Sequence, residues 1–299
     1  MKYLFKYPLE NYQDWVKVYQ SIEAFKPLIE HIYQTAHLTI NHLTPGTNAV
    51  FKVNDTVIKI FAPTSTNINH NDDFKTEINN IKRAKSYGIL TPSIIKEGII
   101  EDRYHFEYII FSYIEGLDAC IYLKSYPKFQ KIFVKEFYQI YKQIQFPCQE
   151  KCQLITKTIH NHRLDQLSPT LKQEIINYVQ TLNFNQCYYL HGDLNGQNIR
   201  INDHQIYILD FADTIIAPIY YDYPVIIFDL LFNYNDLIQD FIQFIDTTNF
   251  TQQLFDGLCI HEYGADFIKL LYESTTHKDI QNLTSLQELK QLLTAFVER

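Results

Sequence analysis

Three side chains close together in this chain could carry out chemistry as a set: Asp193, Asn198 and Asp210. They stand in His191-Gly192-Asp193-Leu194-Asn195-Gly196-Gln197-Asn198 and, farther on, in Asp210-Phe211-Ala212-Asp213. An acid, an amide and a second acid are what phosphoryl transfer from a nucleotide requires. It needs a carboxylate beside the attacking hydroxyl, and hard oxygen ligands that hold magnesium between the phosphates. The residues alone leave open a plainer reading, a turn rich in Asp and Asn beside a buried strand. Two short apolar runs, 199–201 and 206–209, flank the polar Asn202-Asp203-His204 turn and predict a hairpin. That hairpin would return Asp210 to the neighbourhood of Asn198.

His191-Gly192-Asp193, Asn198 five positions after the acid, and Asp210-Phe211-Ala212-Asp213 resemble the catalytic and metal-binding loops of the aminoglycoside phosphotransferase family, within the protein-kinase-like superfamily. The resemblance covers roughly residues 37–235. It implies an α+β, bilobal kinase-like fold, with a small antiparallel five-stranded sheet lobe and a larger, mostly helical lobe. The boundary is expected after Ser112, giving a nucleotide-binding lobe over 1–112 and a catalytic, substrate-binding lobe over 113–299.

The implied activity is O-phosphorylation of a small molecule with ATP or GTP as donor and Mg²⁺ as cofactor. Asp193 would orient the substrate hydroxyl and accept its proton late. Asn198 and Asp210 would ligate the metal, and His191 would hold the loop by hydrogen bonding. Asp213 either bonds loop amides or reaches the substrate. Asp222, in a segment resembling the family's Gly-Asp-Pro-x-x-Asp, is expected to cap a helix and organise the loop. Protein kinases usually carry Arg where this chain has Gly192, and that Arg receives an activation-loop phosphate. Switching of that kind is not expected here.

Other elements must position these groups. Apolar residues between 10 and 36 recur at helical spacing, and Pro27 predicts a break into two pieces that brace the first lobe from outside. Three strands follow at 37–43, 49–53 and 56–61, with Asn54-Asp55 closing a tight hairpin. The turn holding Gly46 sits where kinases keep a phosphate-covering loop. Lys59 stands among apolar residues, either as an edge residue snorkelling to solvent or, as the resemblance implies, as the lysine of the α and β phosphates. A helix over 72–87 offers Glu77 as its partner, the alternative being a surface acid. Gly88 and Pro92 stop that helix, and strands at 94–100 and 105–111 complete the sheet. Ser112, Tyr113 and Ile114 resemble the family's lobe connector, whose backbone binds the adenine edge. Beyond residue 119 the pattern is helical, with Ser168-Pro169 and Ser285-Leu-Gln-Glu288 as helix starts.

Composition narrows the partners. No run of about 18 apolar residues predicts a membrane span, and the amino terminus lacks the pattern of a secretory signal. Five scattered cysteines without paired metal spacing fit reduced thiols in a cytoplasm. The net charge of −8 is uneven, because residues 191–299 hold 16 Asp and Glu against 5 Lys and Arg. That sign argues against nucleic acid. It suits a cationic substrate, drawn by acids such as Asp229, Asp236, Glu262 and Asp266, unless these only solubilise helix surfaces. An aminoglycoside, and so antibiotic resistance, is the first expectation. The alternatives are a kinase for choline, methylthioribose or a similar metabolite, and a catalytically inactive binding protein. Nothing in the sequence fixes monomer or dimer.

Overall fold

Short apolar-rich segments build the first sheet of the computed structural model, which describes residues 3–43, 46–66, 72–245 and 248–298. Its strands are β1 (Ile40–His42), β2 (Ala49–Val53), β3 (Thr56–Ile60), β4 (Ile94–Glu101) and β5 (His105–Ser112). They pair antiparallel in the order β1-β2-β3-β5-β4. In β2, Ala49, Phe51 and Val53 are buried while Val50 and Lys52 are not, the period of two of a strand with one core face. Asn54 takes φ +51° in the two-residue link that brings Val53 opposite Thr56. The strand expected from residue 37 forms only from Ile40.

Two helices precede the sheet, α1 (Tyr12–Val18) and α2 (Ile22–Tyr33). The break between them lies not at Pro27 but at Ser21, whose side chain accepts from the Ala24 amide and starts α2 afresh. Pro27 sits inside α2. Nor do the helices brace the lobe from outside. Phe25, Leu28 and Ile29 of α2 and Trp15 of α1 share one core with Phe5, Phe51, Ile58 and Phe106. Truncating a ring such as Phe25, fully buried, would cost roughly 3–5 kcal/mol. The helix α3 (Asp73–Ser86) turns Phe74, Glu77, Ile78 and Ile81 inward, and Gly88 at φ +78° ends its turn.

The chain divides into two units, Met1–Glu115 with Tyr207–Asp213, and Gly116–Ile206 with Thr214–Arg299. The division falls after Glu115 rather than Ser112, and Tyr207–Asp213 belongs with the first unit. In the second unit, β6 (Leu117–Asp118) leads to α4 (Ala119–Ser125), α5 (Gln130–Gln143), β7 (Phe146–Pro147), α6 (Leu154–Ile159) and α7 (Pro169–Val179). Then come β8 (Tyr188–Leu190), β9 (Ile199–Asn202), β10 (Gln205–Ile208), whose last two residues are counted with the first unit, and β11 (Ile215–Ala217). A 3-10 turn (Ile219–Asp222), the short α8 (Tyr223–Val225) and a π turn (Ile226–Leu230) follow, where one helix was expected. The last helices are α9 (Asn235–Ile245), α10 (Phe250–Ile260), α11 (Gly264–Thr276) and α12 (Leu286–Val297).

Two three-stranded sheets, ordered β10-β9-β6 and β11-β8-β7, hold the loop between β8 and β9. Helix starts follow the expected chemistry. Ser168 Oγ accepts from the Leu171 amide and donates to the Leu283 carbonyl at 2.6 Å, and Ser285 accepts from the Glu288 amide.

Candidate active site

In the first unit, β3 buries Lys59 because its neighbours Ile58 and Ile60 commit the strand to the core. A buried ammonium needs partners, and Lys59 has two: its Nζ lies 2.7 Å from Asp210 Oδ1 and 2.8 Å from Glu77 Oε2. The Glu77 contact is an ion pair without good hydrogen-bond angles. Burial alone would lower the lysine's pKa, but Asp210 and Glu77 outweigh burial and hold it above its ordinary value. Burial pushes Glu77 up to about 7 against the pull of Lys59. Asp210 adopts φ +56° and keeps 37% of its side chain exposed. Tyr207–Asp213 therefore contributes an outward-reaching carboxylate already bound to the buried lysine.

Gly46 is exposed, with open space around it. In the connector, the Ser112 amide donates to the Ser93 carbonyl and the Tyr113 amide to the Asp55 carbonyl, so the amides of two of the three expected adenine-edge residues are engaged at the end of the sheet. The Tyr113 ring lies under Lys52 Nζ at 3.7 Å. Asp213 is exposed.

In the second unit the loop after β8 is held at each of its turns. Asp193 Oδ2 accepts from Asn195 Nδ2 at 2.9 Å and from Asn198 Nδ2 at 3.0 Å. Asn195 Oδ1 in turn accepts from the Gln197 and Asn198 amides, a side-chain turn that fixes the loop's shape. His191 Nδ1 accepts from the Asp193 amide. The Gly196 carbonyl takes the Ala119 amide, its N–H donates to Asp229 Oδ1 at 2.9 Å, and a Cβ on Gly196 would lie 2.1 Å from Cys120 Sγ. Any side chain there would force Cys120 Sγ to move.

Beneath the loop, Asp222 is fully buried and accepts from the Gly192 amide at 3.1 Å. Burial pushes it up to about 7, with backbone hydrogen bonds opposing. It organises the loop as expected, but its side chain makes no helix-cap hydrogen bond. His261 lies against the Gly192 backbone, stacks on Tyr221 at 4.5 Å and accepts from the Tyr263 amide. Burial pulls its pKa down to about 3, so it is neutral.

The four carboxy-terminal acids do different things. Asp229 serves the loop through Gly196. Asp266 is taken by Arg163 at 2.9 Å and by Gln166 at 2.8 Å. Asp236 is exposed in the first turn of α9, and exposed Glu262 accepts from Asn161 through its carbonyl. Asn195 and His261 escaped the sequence reading. Asn195-Gly196 reads only as turn chemistry, and no local pattern ties His261 to a loop some seventy residues earlier.

Taken one at a time, Asn198 and Asp210 each have an oxygen suited to a hard cation. Asn198 uses its Nδ2 on the Asp193 carbonyl and carboxylate, which leaves the amide oxygen as its ligating end. Asp210 offers an exposed carboxylate.

No protein-family model and no curated protein matches the sequence. Solved structures do. The GDP complex of wild-type aminoglycoside 2'-phosphotransferase-IIIa superposes with a TM-score of 0.60 at 13% identity, over 93% of this chain and 99% of that one. The chain has the fold of the aminoglycoside phosphotransferases. The same phosphotransferase fold is shared by amicoumacin kinase hAmiN in complex with AMP-PNP, Ca²⁺ and Ami, at TM-score 0.57 and 14% identity over 95% of this chain and 94% of that one. A choline/ethanolamine kinase family protein from Mesorhizobium loti shares it at TM-score 0.52 and 12% identity, over 87% of this chain and 88% of that one. The expected kinase-like fold class is therefore that of this chain. Among the described residues no helix is long and apolar enough to cross a membrane.

Proposed function

We propose that the protein is a small-molecule kinase that transfers the γ-phosphoryl group of ATP or GTP to a substrate hydroxyl. The observation that carries this reading is Lys59, buried and clamped between Glu77 and Asp210. A fold needs no such ion triad for stability, since buried charges are expensive to desolvate. It is the arrangement that presents a lysine to nucleotide phosphates.

Asp193 receives the acceptor hydroxyl. Its Oδ2 is fixed by two amide donors, so the carboxylate is oriented before substrate arrives. Asn198 and Asp210 would each offer an oxygen ligand to Mg²⁺, which would supply charge neutralisation at the phosphates. Lys59 adds a second positive charge there. The Gly192 peptide, clamped by Asp222, and the Gly196 peptide, clamped by Asp229, keep the loop from moving during transfer. Gly46 lies in the turn that covers the phosphates, and the 112–114 connector borders the base.

Nucleotides in the neighbouring structures, GDP in one and AMP-PNP in another, support the donor class. An aminoglycoside is the preferred acceptor because the carboxy-terminal region is acidic. Asp236 and Glu262 are the exposed acids available to a cationic substrate, while Asp266 already has Arg163. That pairing favours a second reading, a metabolite kinase whose substrate carries one positive charge. Cytoplasmic action and a role in resistance follow from the first reading.

The test is a screen of purified protein with ATP and GTP against aminoglycosides and cationic metabolites, with Asp193→Asn as control. Transfer that is lost in Asp193→Asn while nucleotide binding survives supports the reading. Equal turnover in variant and wild type overturns it.

A further inference from the structure

We infer that the cavity between α4, α5 and the β9–β10 turn is a binding site for a small organic cation with a substituted ammonium head. The cavity measures about 220 Å³ and belongs wholly to the second unit. Tyr122 of α4, Phe129 of the 3-10 turn before α5, Phe133 of α5 and His204 of the hairpin turn line it with rings. The buried Ile201 and Ile206 add aliphatic surface, and the one carboxylate is that of Glu136, exposed on α5. Sites that enclose a drug-sized ligand run to roughly 300–1,000 Å³, so this one takes a single head group.

The rings are set against one another. The centroids of Tyr122 and Phe133 lie 6.2 Å apart, and those of Phe129 and His204 5.0 Å apart. His204 Nδ1 lies 3.3 Å from the Tyr122 hydroxyl. The backbone is strained to achieve this: Asp203 and His204 take φ +45° and +64°, a conformation that two-residue hairpin links usually give to Asn or Gly. A glycine in place of His204 would relieve the strain. What the histidine secures instead is an imidazole ring in the cavity.

Glu136 decides which ligand class suits these rings. Ile132, Phe133 and Glu136 share a face of α5, three and four positions apart, so the carboxylate stands beside the rings. An anion would be repelled by it, and a neutral apolar group would strip its water without replacing it. A cation gains twice, from the carboxylate and from the negative faces of the rings. Among the described residues no lysine or arginine already pairs with Glu136. Lys131 and Lys135 fall on another side of the helix, and Lys131 is held by Asp240 at 3.5 Å. The end of β9 at Asn202 stands four residues, roughly 13 Å of strand, beyond Asn198. The cavity is therefore separate from the Asp193 loop.

The full chain is titrated with choline methyl ether, a trimethylammonium compound with no hydroxyl to phosphorylate, and with its neutral isostere, in which carbon replaces nitrogen. Ligand-observed NMR follows the binding. Expected are saturable binding of the ammonium and roughly tenfold weaker binding of the isostere. Glu136→Gln should lose about fivefold in ammonium affinity, and Ile132→Lys should not bind it at all, because the new side chain brings its own ammonium to the cavity. Both positions are exposed, so both variants should fold, which circular dichroism verifies. The inference is overturned if the wild type does not bind, if the isostere binds as tightly as the ammonium, or if either variant binds as the wild type does. None of these readouts depends on phosphoryl transfer.

Discussion

Lys59 Nζ and Asp210 Oδ1 lie 2.7 Å apart, tying strand β3 to the segment after β10 within the first unit. The lysine is also the charge partner of Glu77, whose carboxylate is almost wholly buried. Lys59→Met should therefore destabilise the protein by about 3–5 kcal/mol, because Glu77 is left buried without its counter-charge. Lys59→Met with Glu77→Leu should recover part of the loss. Urea unfolding of the two variants checks this, and a single variant as stable as wild type would show that the pair carries no such cost.

Asn195→Ala should lower turnover roughly 10–100-fold with a much smaller change in KM, since Asp193 loses a positioning donor and the loop loses its side-chain turn. Steady-state kinetics with the acceptor found by screening measures it. A change confined to KM would mean that Asn195 binds substrate instead.

Gly196→Ala should destabilise the protein, because the new Cβ meets Cys120 Sγ. Combining it with Cys120→Ala should restore much of the loss. Thermal melts decide the matter, and identical effects with and without Cys120 would locate the problem in the backbone.

The proton balance beneath the loop yields a paired prediction. Asp222, raised from 3.8 to about 7, binds a proton in the folded state that the unfolded chain has already lost, so its contribution to stability falls as pH rises between those values. His261, lowered from 6.5 to about 3, does the reverse: the unfolded chain takes up the proton first, and stability falls as pH drops through 6.5. In the wild type the two slopes oppose each other between about pH 4 and 6.5. Asp222→Asn should expose the acid sensitivity of His261, and His261→Gln should make the protein gain stability toward pH 4. Denaturant titrations across that range should show slopes of opposite sign, and parallel slopes would refute the assignment.

Much of this was legible beforehand. Strand β2 declared itself because Phe51 and Val53 alternate with half-buried neighbours, the pattern of a strand with one core face. The acid–amide–acid spacing marked the loop. Strands β6, β7 and β8 were not legible, since two or three residues carry no period. The helix break was misplaced because Pro27 is a stronger signal on paper than Ser21, yet a cap that satisfies an amide decides where α2 starts. Charge counting gave the sign of the carboxy-terminal region and nothing about position. Only the fold shows that Asp266 is matched to Arg163 and Asp229 to a backbone amide.

Trp15 is the chain's single tryptophan, 1% exposed, with its indole N–H donating to the Thr47 carbonyl at 2.8 Å, one residue beyond Gly46. Excited on its own, to the red of the tyrosines, this one indole reports emission that belongs to the first unit alone. A red shift on heating would time the loss of that unit's core, while far-ultraviolet circular dichroism, dominated by the helices of the second unit, would time the rest. Two melting curves that part company would reveal independent unfolding without any label. Because the indole holds the backbone beside Gly46, nucleotide that reshapes this turn would also write its binding curve into the tryptophan signal.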